Sequence, residues 1–368
     1  MDPRHFSPLL AMLCIGACNS GSSSSDRAGP TLIRLGPPVV LHDGGGPPLA
    51  RPVTLSIRAT DGAFLISDLG ANAVLIYNRR GDRLQSLGRE GRGPGELEGP
   101  AAIIQTQDSI VGVYSMGLRA LTLYAASSGA YLRRVSLPGY PSYYAPTEFR
   151  DTVWLGARDL GAGHSVLSWV PSTDSISQAL PLPSEYARFG EAMRFSGTPL
   201  ALAGDTMVVG FSPFNPLLVL DRHRATGDTI DVPRRVRRGT HLRAFQAPAA
   251  DLDALLTSVS SLEALGFLPS HQLAVVHADK RRSAPPHRSL QADLFVSVLD
   301  LAALRGCIDQ PVPVLADAVP IVRLRADTLF VLTQQVQDTE VVSAVTAFRL
   351  AATHCRWLPL RRVHAFLD

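Results

Sequence analysis

Residues 53–87 alternate four short apolar stretches with three turn signals. Residues 53–58 (VTLSIR) carry apolar side chains at every second position, the period of a half-buried strand. Asp61-Gly62 follows as a tight turn, because glycine accepts the positive φ that hairpin turns require. Phe64, Leu65 and Ile66 form a continuous apolar run, Asn72 and its neighbours turn the chain again, and residues 74–77 (VLIY) make a third strand. Arg80, Gly81 and Asp82 turn once more before a fourth, edge strand at residues 84–87. This is the pattern of one four-stranded propeller blade.

Weaker copies fill the rest of the chain. A turn pair precedes a short apolar run at Asp108-Ser109, Asp151-Thr152, Asp205-Thr206, Ser270-His271 and Asp327-Thr328, at intervals of 43 to 65 residues. Each is followed by an echo of the third strand, at residues 121–124, 166–169, 217–220, 294–298 and 345–348. Blades of this kind repeat about every 40–50 residues, and radial closure removes most exposed strand edges. Six turns with six echoes predict an all-β fold, a six-bladed β-propeller spanning residues 51–368. Residues 31–35 are expected to form a strand that closes the ring against the last blade.

One stretch breaks the β pattern. Leu252, Leu255, Leu256, Val259, Leu262 and Leu265 fall at helical spacing, with Asp251 and Asp253 near the start, where carboxylates suit the helix dipole. This predicts one inserted amphipathic helix at about residues 248–267, packed on a propeller face. The run Arg234-Arg235-Val236-Arg237-Arg238 reads as a solvated basic loop, with an anionic partner as the alternative.

The first residues change the picture from fold to address. Residues 9–17 are apolar but too short to span a membrane. They end in Ile15-Gly16-Ala17-Cys18, a bacterial lipobox pattern in which a peptidase cuts before a thiol that is lipidated. Residues 1–17 are therefore expected to be a lipoprotein signal peptide, Cys18 the lipidated residue, and residues 18–50 a flexible linker. The expected location is the bacterial cell envelope, anchored at the outer membrane and facing the periplasm or the surface, because Asn19 and not aspartate follows the cysteine. Cys307 and Cys355 remain, each following a third strand in the last two blades. An oxidising compartment favours their pairing, whereas equivalent positions on neighbouring blades diverge outward.

Composition adds little chemistry. The chain has 368 residues, 46% hydrophobic and 18% charged, with a formal net charge of +3, too small to point to nucleic acid. Lys280 is the only lysine, so the basic charge is nearly all arginine. His271 and His277 stand six apart in a strand segment and read as surface and core residues, not as ligands. Residues 210–214 (GFSPF) lack the second glycine of a nucleophile elbow. Tyr140, Tyr143 and Tyr144 cluster in a connection between blades, where they either stack on a ligand or pack between blades.

The sharpest local motif is GREGRGPGEL at residues 88–97. No Gly-Lys-Ser/Thr follows, so it is not a phosphate-binding P-loop, and its glycine spacing is not that of a dinucleotide site. Joined to the preceding IYNRRGDRLQSLG, it resembles the six-bladed propeller lipoproteins of Bacteroidetes-like and Gemmatimonadetes-like bacteria, related to NHL-repeat proteins. The resemblance implies a binding role and brings no catalytic residue. The expected function is a lipid-anchored ligand- or protein-binding module, with Arg89, Glu90 and Arg92 as the ligand-binding residues. Its expected partners are the membrane, through the anchor, and a protein or carbohydrate. The alternative is a metal-dependent hydrolase or lyase of the lactonase type, in which Asp68, Asn72 and Glu90 would face a central channel and hold calcium.

Overall fold

The computed structural model describes residues 30–363, apart from 47, 107–109, 143, 145, 160–162, 182–196, 223–226, 240–253, 255–256, 283–289, 339 and 353–354. Six antiparallel sheets follow one another along the chain and around a ring. Blade one is built from Pro52–Ile57, Phe64–Asp68, Ala73–Tyr77 and Arg83–Leu87, within a residue or two of the strands read from the sequence. Blade two runs from Pro100–Gln105 to Tyr131–Ser136, and blade three from Tyr140–Pro141 and Thr147–Phe149 to Ser175–Pro181. Blade four spans Leu200–Ala203 to Gly227–Asp231, blade five Ser260–Phe267 to Arg305–Pro311, and blade six begins at Ile321–Arg325.

The middle strands of each blade are apolar on both faces because both faces are covered. Successive side chains on a strand point to opposite sides. In blade one, Leu65, Val74 and Ile76 pack with Ile103 and Val113 of blade two. Phe64, Ile66, Leu75 and Tyr77 pack the other way, with Leu332 and Val345 of blade six. Four more such seams join the blades in turn, the last uniting Val276 and Val296 of blade five with Val331 and Phe348 of blade six. Alternation is therefore lost in these strands, which read as continuous apolar runs.

The ring closes as expected. Thr31–Arg34 pairs antiparallel with Glu340–Ala351, from Thr31 opposite Ala351 to Arg34 opposite Phe348, and supplies the outer strand of blade six. Val39–Val40 adds to the same strand. The chain then passes over blade one, where Gly81 has φ +91° and a Cβ would collide with the Val40 carbonyl oxygen. Only glycine permits that crossing.

The inserted helix is a misreading over its second half. Ser260–Phe267 is the innermost strand of blade five and pairs with Leu273–Arg282. A register shift between Leu262 and Ala264 marks a bulge. The extra residue there puts Leu262 and Leu265, three apart, into the same seam with blade four. A bulged strand thus imitates helical spacing. Ala254, Thr257 and Ser258 have helical backbone, and residues 248–253 lie outside the described residues. The signal peptide, Cys18 and the linker up to residue 29 lie outside them as well.

The C-terminal segment does more than end the last blade. Leu358–Pro359 adds a fifth strand to blade five, with Pro359 opposite Arg305 and Leu358 opposite Gly306. Arg361–Val363 then adds a fifth strand to blade four. Cys307, on the outer strand of blade five, is joined to Cys355 by a disulfide with a Cα–Cα distance of 5.6 Å. Cys355 is not at the position on blade six equivalent to Cys307: the chain has already turned back across blade five, which removes the outward divergence.

Candidate functional site

In a meander of four strands, the links between blades and the turns between second and third strands emerge on one face, and the remaining turns on the other. The glycine-rich run at 88–97, the link ending at Pro320 and the turn at Leu69 therefore share a face, and the Tyr144 ring stands there too, against Gly197 in the link to blade four. From that face a cavity of about 690 Å³ runs between the innermost strands of blades one, three, four, five and six. Arg51, Leu69, Tyr144, Pro199 and Val319 surround its mouth, and Phe267, Arg325 and Ala326 lie toward the opposite end. The volume is that of a small-molecule site.

The charged groups in this channel are few. Glu263 pairs with Lys280 at 3.2 Å and accepts a hydrogen bond from the Ser261 hydroxyl. Glu263 is the residue displaced by the bulge, which is how a carboxylate comes to line the wall. Glu148 lies on the inner strand of blade three. Arg323 lies midway along the inner strand of blade six and is partly buried. Its Nε is shut off from solvent and has no hydrogen-bond partner among the described residues. Burial, together with the Arg325 cation two residues on, pushes the Arg323 pKa down to about 10.

The residues singled out in the motif lie elsewhere. Arg89 pairs with Glu96 at 3.0 Å and Arg92 with Glu98 at 2.8 Å, both guanidinium groups being exposed. Two interactions hold down the loop's Glu96 pKa, a hydrogen bond from the Gly93 amide and then one from Arg89. From blade two, Arg134 donates to the carbonyls of Arg92, Gly93 and Glu96 at 3.0, 2.7 and 3.2 Å, and the Tyr124 hydroxyl donates to the carbonyl of Gly95 at 2.9 Å. Glu90 is exposed. The loop is clamped onto blade two, and Arg89, Glu90 and Arg92 do not line the channel.

The three side chains named for calcium do not converge. Asp68 is fully buried, and its carboxylate accepts from the amides of Ala50, Arg51, Gly70 and Ala71 at 2.6 to 3.2 Å. The Asn72 side-chain oxygen accepts from the Gly99 amide at 2.9 Å. Both therefore organise turns. Among the described residues, no group of three or more histidine, cysteine, aspartate or glutamate side chains is close enough to hold a metal ion. His271 is exposed and His277 buried, as read. Burial and the Arg237 cation push the His277 pKa well below its ordinary value, so the ring is neutral.

The basic run at 234–238 is not a solvated loop throughout. Arg237 is buried and its Nε is 3.0 Å from the Asp309 carboxylate, both side chains being wholly inaccessible. Arg238 donates to the carbonyls of Thr257 and Lys280. Arg234 and Arg235 remain exposed. The partner of Arg237 lies 72 residues further along the chain, on the outer strand of blade five, out of reach of any local reading.

Comparison with known proteins agrees on the class of fold. No protein-family model matches the chain, and no curated protein matches it by sequence. Among solved structures it is similar to a member of the DUF4221 family from Bacteroides vulgatus, at 10% identity and a TM-score of 0.56, over 88% of this chain and 99% of that one. An exported-protein candidate from Bacteroides fragilis is similar at 10% identity and a TM-score of 0.55, over 87% and 94% of the two chains. U3-55K is similar at 12% identity and a TM-score of 0.51, over 84% and 99%. The protein is a closed six-bladed β-propeller, in agreement with the resemblance carried by its first blade. At these identities the likeness is one of fold.

Proposed function

We propose that this chain is an extracytoplasmic binding module, held to the bacterial envelope by a lipid on Cys18, whose ligand enters the central channel. The single observation that carries the ligand site is the 690 Å³ cavity with Tyr144 at its mouth and a small set of charged groups in its wall. A concave site that sets a few placed polar and charged groups beside apolar side chains is the usual form of a small-molecule pocket. The exported-protein candidate of the same fold and the lipobox at residues 15–18 support the address. The loop at 88–97 keeps the binding face in shape instead of touching the ligand.

The test is a library of sugars, carboxylates, amines and short peptides read by thermal shift, with two variants to locate the hits. Leu202→Trp puts an indole on the channel wall and is expected to abolish the shifts. Arg89→Ala with Arg92→Ala removes only solvent-exposed ion pairs, which contribute little to stability, and is expected to keep them. Shifts that vanish with the arginines and survive Leu202→Trp move the site to the loop and end this reading. The address is tested separately: Cys18→Ser is expected to shift the protein from the membrane to the soluble fraction of cells, and unchanged fractionation would remove the anchor.

A further inference from the structure

Among the described residues, the other charged groups of the interior have answering groups. Asp68 has four amides, Arg237 has Asp309, and Asp279 takes hydrogen bonds from the Ser260 hydroxyl and the Arg238 amide. Arg323 has none: among the described residues it makes no hydrogen bond and no ion pair, and its nearest charged influence is another cation, Arg325. Holding a cation partly desolvated beside a like charge costs stability. A neutral residue would fill that place on the strand without the cost. Unanswered charges of this kind collect at sites where a ligand supplies the missing partner.

We propose that Arg323 is the receptor for the anionic head of a small amphipathic ligand, a carboxylate or a phosphate, whose apolar body lies along the channel. This rests on the channel being the binding site. The planar guanidinium fork matches either oxyanion through two parallel hydrogen bonds. Arg325, two residues along the same strand and so on the same side of it, adds positive potential at the far end of the cavity. Its one described tie is a long hydrogen bond, 3.4 Å, to the Arg58 carbonyl. Glu263 is already answered by Lys280, so it does not compete for Arg323. Leu202, Phe267, Val53 and Leu324 are among the apolar residues that line the same cavity.

The experiment uses phenylacetate, phenyl phosphate and, as the uncharged control, 2-phenylethanol, with binding to the purified protein followed by calorimetry. The two anions are expected to bind more tightly than the alcohol, and whichever anion binds better identifies the head group. Arg323→Gln is expected to weaken the preferred anion at least about tenfold, since it removes charged hydrogen bonds, and to leave the alcohol unchanged. Arg323→Gln and Arg323→Met are also expected to unfold at a higher, or an equal, urea concentration than the wild type, because an unanswered cation is gone. A variant that unfolds at clearly lower urea would make Arg323 structural and overturn the proposal. Equal binding of anions and alcohol, insensitive to Arg323→Gln but lost in Leu202→Trp, would overturn the anion site and keep the channel. If neither the three probes nor the wider library bind, both readings fall.

Discussion

Asp309→Ala is expected to lower the stability of the protein by about 3–5 kcal/mol, the range for removing one partner of a buried ion pair. The effect is large because the carboxylate answers more than one group. Its Oδ1 accepts from the Arg237 Nε at 3.0 Å, and its Oδ2 accepts from the amides of Arg235 and Val236 at 2.6 and 3.0 Å. Asp309 itself is positioned by Ser297, whose hydroxyl takes a hydrogen bond from its amide at 3.0 Å. Without the carboxylate, Arg237 keeps the Asn215 side-chain oxygen at 2.6 Å and the Val232 carbonyl at 2.7 Å, which are dipoles and do not cancel its charge. Desolvation already draws the Arg237 pKa below its ordinary value, against the pull of Asp309.

Asp309→Asn keeps one oxygen acceptor and the shape, and is expected to fall between wild type and alanine. Arg237→Leu combined with Asp309→Leu removes both charges and is expected to recover part of the loss, the remainder being the orphaned amides of residues 235, 236 and 237. Urea unfolding of the four proteins measures this. An Asp309→Ala midpoint indistinguishable from wild type would show that water reaches Arg237 and that the pair does not hold blades four and five together.

The same pair shows where the sequence was legible and where it was not. The blades could be read because each middle strand is covered on both sides, so that residues 64–66 and 74–77 appear as short apolar runs wherever they recur. The closing strand at 31–34 could be read because the last blade lacked its outer member. The run at 234–238 could not, since arginine in a loop looks the same whether water or a distant carboxylate answers it. Leu262 and Leu265 were two of the six apolar positions that suggested the helix at 248–267, and a bulge at Glu263 explains their spacing. Arg323 was missed, although a signal existed. The innermost strand is the segment that ends at each turn pair, so the arginine four residues before Asp327-Thr328 had to stand in the channel wall.

Removing the C-terminal segment from residue 353 onward is expected to destabilise the ring by about 4 kcal/mol or more. The disulfide closes a loop with a sequence separation of 48 residues, for which the chain-entropy account gives roughly 4 kcal/mol. Leu360 is buried in the seam of blades four and five, and the loss of that burial adds about 1.5–3 kcal/mol. Trp357, with the Arg305 guanidinium 4.7 Å over its ring, covers the neighbouring edge. What the truncation leaves are the outer strands Gly227–Asp231 and Arg305–Pro311 without the strands that cover them. Open edges recruit other chains, so self-association at moderate concentration is expected alongside the lower stability.

Cys355→Ala isolates the covalent part: it is expected to unfold at lower urea than the wild type and to be indifferent to reductant, while the wild type falls toward it when reduced. Identical unfolding of oxidised and reduced wild type would mean that strand pairing alone holds the segment. A bond that contributes this much also separates compartments, because it forms and persists in an oxidising one and not in a reducing cytosol. Protein made without export is therefore expected to show the stability of Cys355→Ala. The fold, on this argument, reaches full strength only at the address that the lipobox at Cys18 predicts.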